Sequence, residues 1–316
     1  MTNEEAIKGF KIAILIPCYN EELTIAKVVK DFYSCIPDSL VYVFNNASTD
    51  ATAEVAKEAG AIVFNEPNKG KGNVTKRMFA DVEADLYVMV DGDDTYEACQ
   101  AINMAAHLIN NNLDMVVATR EAIDNQSAYR WGHVFGNWML TRSVSLLFGR
   151  GFTDMLSGYR IMSRRFIKSF PLSSNGFEVE TEITIHALQV GASSEEIKTK
   201  YNERPAGSES KLSTFGDGYK ILKMIFLLFK EEKPFQFFGF FSLLFFIFSI
   251  ILFLPIFLNF IETGLVPKLP SAILSASLML LSFLSLISGL ILDSLSRARH
   301  EVKRLKYLSY NSPRIK

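Results

Sequence analysis

The chain has 316 residues, 49% hydrophobic and 21% charged, with a formal net charge of −1 at pH 7. Those proportions allow a sizeable core in one or two domains, and the near-neutral balance supplies no whole-chain electrostatic footprint for nucleic acid. The three cysteines, Cys18, Cys35 and Cys99, lack metal-type spacing and read as reduced thiols in a cytosolic domain. Met1 to Gly9 is polar and the apolar run behind it is short, which does not read as a secretory signal.

Through the first half, short apolar runs alternate with helix-like segments. Strands are expected at residues 12–16, 40–44, 61–64, 86–90 and 115–118, and helices at 21–32, 50–59, 72–83 and 97–110. Gly60 reads as a helix stop, and Thr49 or Asp50 as a start. Such alternation predicts an α/β fold with a mainly parallel sheet, whose ligands gather outside the carboxyl ends of the strands. Three polar loops fall at such ends: Pro17 to Glu22, Asn45 to Asp50 and Asp91 to Thr95.

Asp91-Gly92-Asp93-Asp94-Thr95 follows a buried-strand signal. Its carboxylates suit a hard divalent cation, Mg²⁺ or Mn²⁺, which commonly also holds substrate phosphates. An Asp-rich turn that merely caps a helix is the competing reading. In the first loop Pro17 ends the ladder, Asn20 caps the next helix and Tyr19 offers a flat face to a base. Asn46 could present its amide to a nucleobase edge, or serve a capping turn. The basic, glycine-containing loop Asn68 to Asn73, with Lys71, can approach phosphate or act as a plain connector.

Ile-Pro-Cys-Tyr-Asn-Glu-Glu, Asn-Asn-Ala-Ser-Thr-Asp-Ala-Thr and Val-Asp-Gly-Asp-Asp occur in that order. Together they resemble the family 2 inverting glycosyltransferases of the GT-A fold, and more narrowly the dolichol- or polyprenyl-phosphate glycosyltransferases. The likeness covers roughly residues 10 to 215. It implies that Pro17, Tyr19 and Glu21 lie beside the nucleoside, Asn46 at the base edge, Lys71 near the nucleotide, and Asp91 and Asp93 around the metal. Asn45 and Asn46 depart from the family's usual aspartates, and Thr95 stands where some relatives carry a glutamine ligand.

The rest of the soluble region is rich in arginine. The resemblance implies that Arg120, Arg130, Arg204 and Lys211 bind the lipid phosphate and the donor's phosphates. Guanidinium forks match phosphate oxygens, while lysine acts as a point charge. Each alone reads as a solvated surface charge. Asp154 is the base if one is needed, or simply shapes a turn. Glu178 and Glu180 read as acids complementing a helix N-terminus.

Residues 235–258 and 269–292 carry no charge and are long enough to cross a bilayer. Lysines before the first span and basic residues after the second predict that both ends, and the catalytic domain, are cytoplasmic. The connecting loop is 259–268, and the tail 293–316 is basic. Residues 216–234 read as an amphipathic helix at the interface, holding the active site near the headgroups. Ser271 with Ser275, and Ser285 with Gly289, suit close packing, within the hairpin or in a homo-oligomer.

The expected protein is therefore a membrane-anchored, metal-dependent enzyme. It moves a sugar from a nucleotide-diphosphate donor, a UDP-sugar ahead of GDP-mannose, to polyprenyl or dolichyl phosphate. A processive polysaccharide synthase is the rival, although Gln126 stands one residue too far from Arg130-Trp131 for the usual motif. An inactive membrane partner subunit is the non-enzyme alternative.

Overall fold

A computed structural model of the chain describes residues 2–122, 131–149, 152–172, 178–205 and 214–312. In chain order its elements are α1 (Asn3–Ile7), β1 (Ile12–Cys18), α2 (Ile25–Cys35), β2 (Leu40–Asn45), α3 (Thr52–Glu58), β3 (Ile62–Asn65), α4 (Lys71–Asp81), β4 (Leu86–Met89) and α5 (Gln100–Asn110). Then come β5 (Met115–Ala122), α6 (Trp131–Phe148), β6 (Arg160–Ser163), α7 (Arg164–Ser169), α8 (Val179–Val190), β7 (Ser194–Tyr201), α9 (Thr214–Glu232), α10 (Pro234–Thr263) and α11 (Leu269–Leu308). They fall into two units, one of residues 1–218 with 302–316, the other of residues 219–301.

In the first unit the described strands form one sheet in the order β3-β2-β1-β4-β6-β5-β7. All pairings are parallel except those of β6, which runs antiparallel to both β4 and β5. The central strands β1 and β4 are nearly continuous apolar runs because helices cover both faces, so neither face needs polar residues. The edge strand β7 reads Ser-Glu-Glu-Ile-Lys-Thr-Lys-Tyr, and its charges discourage further pairing.

β1 does not stop at Pro17 as expected but runs on to Cys18, with Pro17 in register with Phe44 of β2. Leu15 accepts its bond from Val90 on the β4 side. Alternation therefore turns the missing N–H of Pro17 toward β4, whose register has already ended at Met89, and no ladder bond is lost. Asn20 does not cap α2. It sits at φ +55° and accepts from the Thr49 amide, tying two polar loops together. Cys35 and Cys99, expected as thiols, are joined in a disulfide across a Cα separation of 5.1 Å, while Cys18 stays outside it and buried. Their distance in sequence gave no sign of this pairing.

Part of the basic tail belongs to the first unit, within which it packs from Val302. Asp114, fully buried, accepts from Ser163 Oγ at 2.7 Å, from Arg165 at 3.0 and 2.6 Å, and from the Tyr307 hydroxyl. The Arg165 guanidinium lies 4.4 Å from the Tyr307 ring centroid.

In the second unit, α10 and α11 are long and apolar enough to cross a membrane. Large side chains such as Phe240, Phe248, Leu280 and Phe283 are exposed along both. The helices meet through small residues at heptad spacing on α11, Ser275, Ser282 and Gly289, and Ser296 continues the period against the end of α9. The Ser249 hydroxyl donates to the Ser275 carbonyl at 2.9 Å, the Ser282 hydroxyl donates to the Ser242 carbonyl at 2.9 Å, and the Ser296 hydroxyl donates to the Glu231 carbonyl at 3.0 Å. A Cβ on Gly289 would lie 3.1 Å from Phe238. The expectation of four-residue spacing found Ser275 and Gly289 but not the period, which follows from two nearly antiparallel helices keeping one seam.

Two outcomes follow. Asp114→Ala should cost about 3 kcal/mol, because it strands the buried Arg165 end of the pair, and urea unfolding of the purified chain measures it. Ser282→Leu should destabilise the hairpin by about 1–3 kcal/mol through overpacking, whereas Ser277→Leu, on an exposed face, should leave the thermal midpoint near wild type.

Candidate functional site

β1, β2 and β4 are parallel neighbours, so their carboxyl ends open on the same edge of the sheet. A cavity of about 470 Å³ lies there. Its lining includes Pro17, Tyr19 and Glu21 after β1, Asn46 after β2, Lys69 and Lys71 at the start of α4, and Asp91 and Asp93 after β4. Arg120 from β5, Glu180 from α8, and Tyr201 and Arg204 at the end of β7 complete it. Nine sequence-expected residues thus meet in one place: Pro17, Tyr19, Glu21, Asn46, Lys71, Asp91, Asp93, Arg120 and Arg204. Arg130 and Lys211 lie outside the described residues.

The aspartate turn is held from several sides. The Thr24 hydroxyl at the start of α2 donates to the Gly92 carbonyl at 2.6 Å. A Cβ on Gly92 would lie 2.8 Å from Cys18 Sγ. A Cβ on Gly158 would lie 2.3 Å from Asp91 Oδ2, so only glycine lets that loop approach. Arg160, fully buried, fixes the same loop by donating to the carbonyls of Met155 (2.6 Å) and Ser157 (3.0 Å) and to the Thr184 hydroxyl (2.8 Å). Burial lowers the Arg160 guanidinium, and the nearby charges of Glu180 and Asp154 work against that.

Counter-charges meet both aspartates. Lys71 Nζ lies 2.6 Å from Asp91 and 2.5 Å from Glu180. Arg204 lies 2.6 Å from Asp93 Oδ2, and the Thr95 hydroxyl donates to Asp93 Oδ1 at 2.6 Å. Thr95, which stands where some relatives carry a glutamine ligand, thus orients the aspartate. Burial alone would push the Asp91 carboxyl up, but Lys71 with the Arg204 and Arg120 charges holds it below the usual range. Asp93 goes the other way: burial and then the Asp91 charge raise it, against Arg204 and Thr95. Burial would draw the Lys71 ammonium down, yet Asp91 and Glu180 outweigh it and keep it charged.

Other expected residues have partners that define their work. Asn46 donates to the carbonyls of Glu66 (3.2 Å) and Asn68 (2.7 Å) and accepts from the Gly70 amide (2.7 Å). Its amide is committed to shaping the loop before α4. Lys69 lies 5.2 Å from the Tyr19 ring centroid, over the face expected to meet a base. Asp154 gives both oxygens to Arg120, each at 2.7 Å, and those bonds hold its carboxyl down against burial. Arg120 also lies 5.6 Å from the centroid of Tyr201. Asp154 therefore orients Arg120 and is poorly placed to take a proton.

Glu180 is the residue that sequence reasoning left at a helix dipole. A signal was present. α8 reads Val-Glu-Thr-Glu-Ile-Thr-Ile-His-Ala-Leu-Gln-Val and is buried nearly all round, so an acid within it needs a cation. Asp91 and Asp93 supply hard oxygen ligands facing one cavity, which fits a divalent cation. Among the described residues no group of three or more His, Cys, Asp or Glu gathers as a metal site. Such a cation would share its remaining coordination with a ligand and water.

The glycosyl transferase family 2 model matches residues 13–170. Glycosyltransferase AglJ of Haloferax volcanii is 34% identical over 229 residues, 72% of this chain and 75% of that protein. A dolichyl-phosphate hexose transferase of the same organism is 27% identical over 70% of this chain and 95% of its own length. The fold is shared with glucosyl-3-phosphoglycerate synthase of Mycobacterium tuberculosis, solved with Mn²⁺ and UDP-glucose, at a TM-score of 0.58 and 21% identity over 72% of this chain and 82% of that one. The loops at the ends of β1, β2 and β4 and the aspartate turn they surround thus lie within the matched segment, and the chain is a glycosyltransferase belonging to glycosyl transferase family 2.

Proposed function

We propose that the chain transfers a sugar from a nucleotide-diphosphate donor, a UDP-sugar ahead of GDP-mannose, to polyprenyl or dolichyl phosphate, with inversion. The observation that carries this reading is the meeting of Asp91, Asp93, Lys71, Arg120 and Arg204 around one cavity. The likeness to a dolichyl-phosphate hexose transferase and the two apolar helices support a lipid acceptor. Mg²⁺ or Mn²⁺, held by Asp91 and Asp93, supplies charge neutralisation on the departing diphosphate. Lys71 and Arg204 add positive charge beside the same groups. Arg120, with its fork fixed by Asp154, meets the acceptor phosphate. That phosphate is already largely ionised near neutral pH, so the chain needs no strong base and works by positioning and electrostatics. The basic flanks of α10 and α11 support a cytoplasmic catalytic domain with both termini on that side.

The test is a panel of radiolabelled nucleotide-sugars with polyprenyl phosphate in detergent, followed by lipid extraction. One donor should label the lipid with a single sugar. A polymer product would favour a processive synthase, and no labelled lipid from any donor would overturn the reading. Asp93→Ala should lower transfer by roughly a thousandfold, the several kcal/mol that cation-based charge stabilisation supplies, with the thermal midpoint retained. Gly158→Ala should lower it by roughly a hundredfold by displacing Asp91, while Gly239→Ala, with open space around its Cβ, should leave the rate unchanged.

A further inference from the structure

Lys71 and Arg204 stand on the carboxylates that a divalent cation requires. Both oxygens of Asp93 are engaged, Oδ1 by Thr95 and Oδ2 by Arg204. Resting on the donor reading above, we propose that these two basic groups neutralise the aspartates before the donor binds, so that a cation enters only together with a diphosphate.

Three observations support the coupling. The first is charge. Asp91, Asp93, Glu180 and Asp154 face Lys71, Arg204, Arg120 and the buried Arg160, four acids against four bases, which leaves a largely buried cluster in balance. A divalent cation alone would add two uncompensated positive charges, and the two negative charges of a nucleotide-sugar diphosphate cancel them. The second is ligand supply. Two carboxylates cannot fill the shell of Mg²⁺ or Mn²⁺, and the described residues gather no third acidic, histidine or cysteine ligand around them. The diphosphate must bring oxygens. The third is the place of Glu180. Were Asp91 to hold a cation, the 2.5 Å bond to Glu180 would keep the Lys71 ammonium beside the cavity, where a phosphoryl oxygen could meet it. Arg204 lines the same cavity with its side chain 31% exposed, so a diphosphate bound there would meet it.

The exchange also gives Glu180 a role as a positioning residue. It holds the lysine whose other partner is borrowed by the cation. The same two basic groups therefore neutralise the aspartates before binding and the diphosphate after it.

Mn²⁺ binding to the full chain in detergent tests this, read by the electron paramagnetic resonance of the unbound ion. Titrations run without nucleotide, with saturating UDP and with saturating GDP. Wild type should bind Mn²⁺ at least tenfold more tightly with one of the nucleotides, and reciprocity requires Mn²⁺ to tighten that nucleotide by the same factor. Arg204→Gln should raise Mn²⁺ affinity without nucleotide by roughly tenfold and shrink the nucleotide's enhancement accordingly. Arg204→Lys, which keeps the charge, should retain the coupling. Equal Mn²⁺ affinity with and without nucleotide would overturn the coupling and leave the donor reading standing. An unchanged Arg204→Gln variant would overturn the assignment to Arg204. Absence of Mn²⁺ binding even with UDP or GDP would overturn the donor reading itself.

Discussion

Acidic side chains at the end of a buried strand cannot stand without compensation, and the Lys71 ammonium supplies it between Asp91 and Glu180. In a medium of reduced dielectric a carboxylate left alone would neutralise itself by taking up a proton. For Asp91 the fold prevents this by bringing four distant stretches together: the turn after β4, the first residue of α4, the first turn of α8 and the segment after β7. Each contributes a charge that is costly alone and tolerable in the group. The site is consequently a property of the folded sheet rather than of any loop. The supporting shell follows the same logic, since Gly158 exists to let its loop reach Asp91, and Arg160 spends its buried donors on holding that loop in place.

What could be read from the sequence divides along physical lines. The strands that lead into the cavity's loops were legible because parallel strands covered on both faces are written as unbroken apolar runs, as at Ile12 to Ile16 and Leu86 to Val90. β6 and β7 were not. β6 is four residues long and begins with a buried arginine, and β7 is an edge strand whose charges hide its period. The antiparallel insertion of β6 between β4 and β5 is a tertiary choice that no local pattern announces.

For the site, the residue types were legible and the partnerships were not. Asp91, Asp93, Lys71, Arg120 and Arg204 declared themselves by chemistry and by the resemblance, and one cavity contains them. The amide of Asn46 reads as facing a base or serving a capping turn, and three backbone groups claim it. Asp154 reads as the base if one is needed or as a turn former, and a fork-to-fork pair with Arg120 uses its oxygens. Glu180 was read as a helix-end acid because its partner stands far away in sequence. In each case a side chain's duty was set by a neighbour across the fold, and spacing along the chain carries no record of that neighbour.

The same distinction governs the apolar half. Two helices long and apolar enough to cross a membrane would find little hydrophobic drive toward each other in lipid, so close contact and hydrogen bonds align them. Ser275, Ser282, Gly289 and Ser296 form one seam, with Ser242 and Ser249 facing it. Each serine that crosses the seam satisfies its hydroxyl there, and Gly289 admits the start of α10 against α11. Of the small residues that suggested either a hairpin or an oligomer, Ser275 and Gly289 are used within the hairpin. The phenylalanine-rich remainder of α10 has the composition that hydrocarbon tolerates without a protein partner, so the hairpin accounts for its own polar groups and for its own packing.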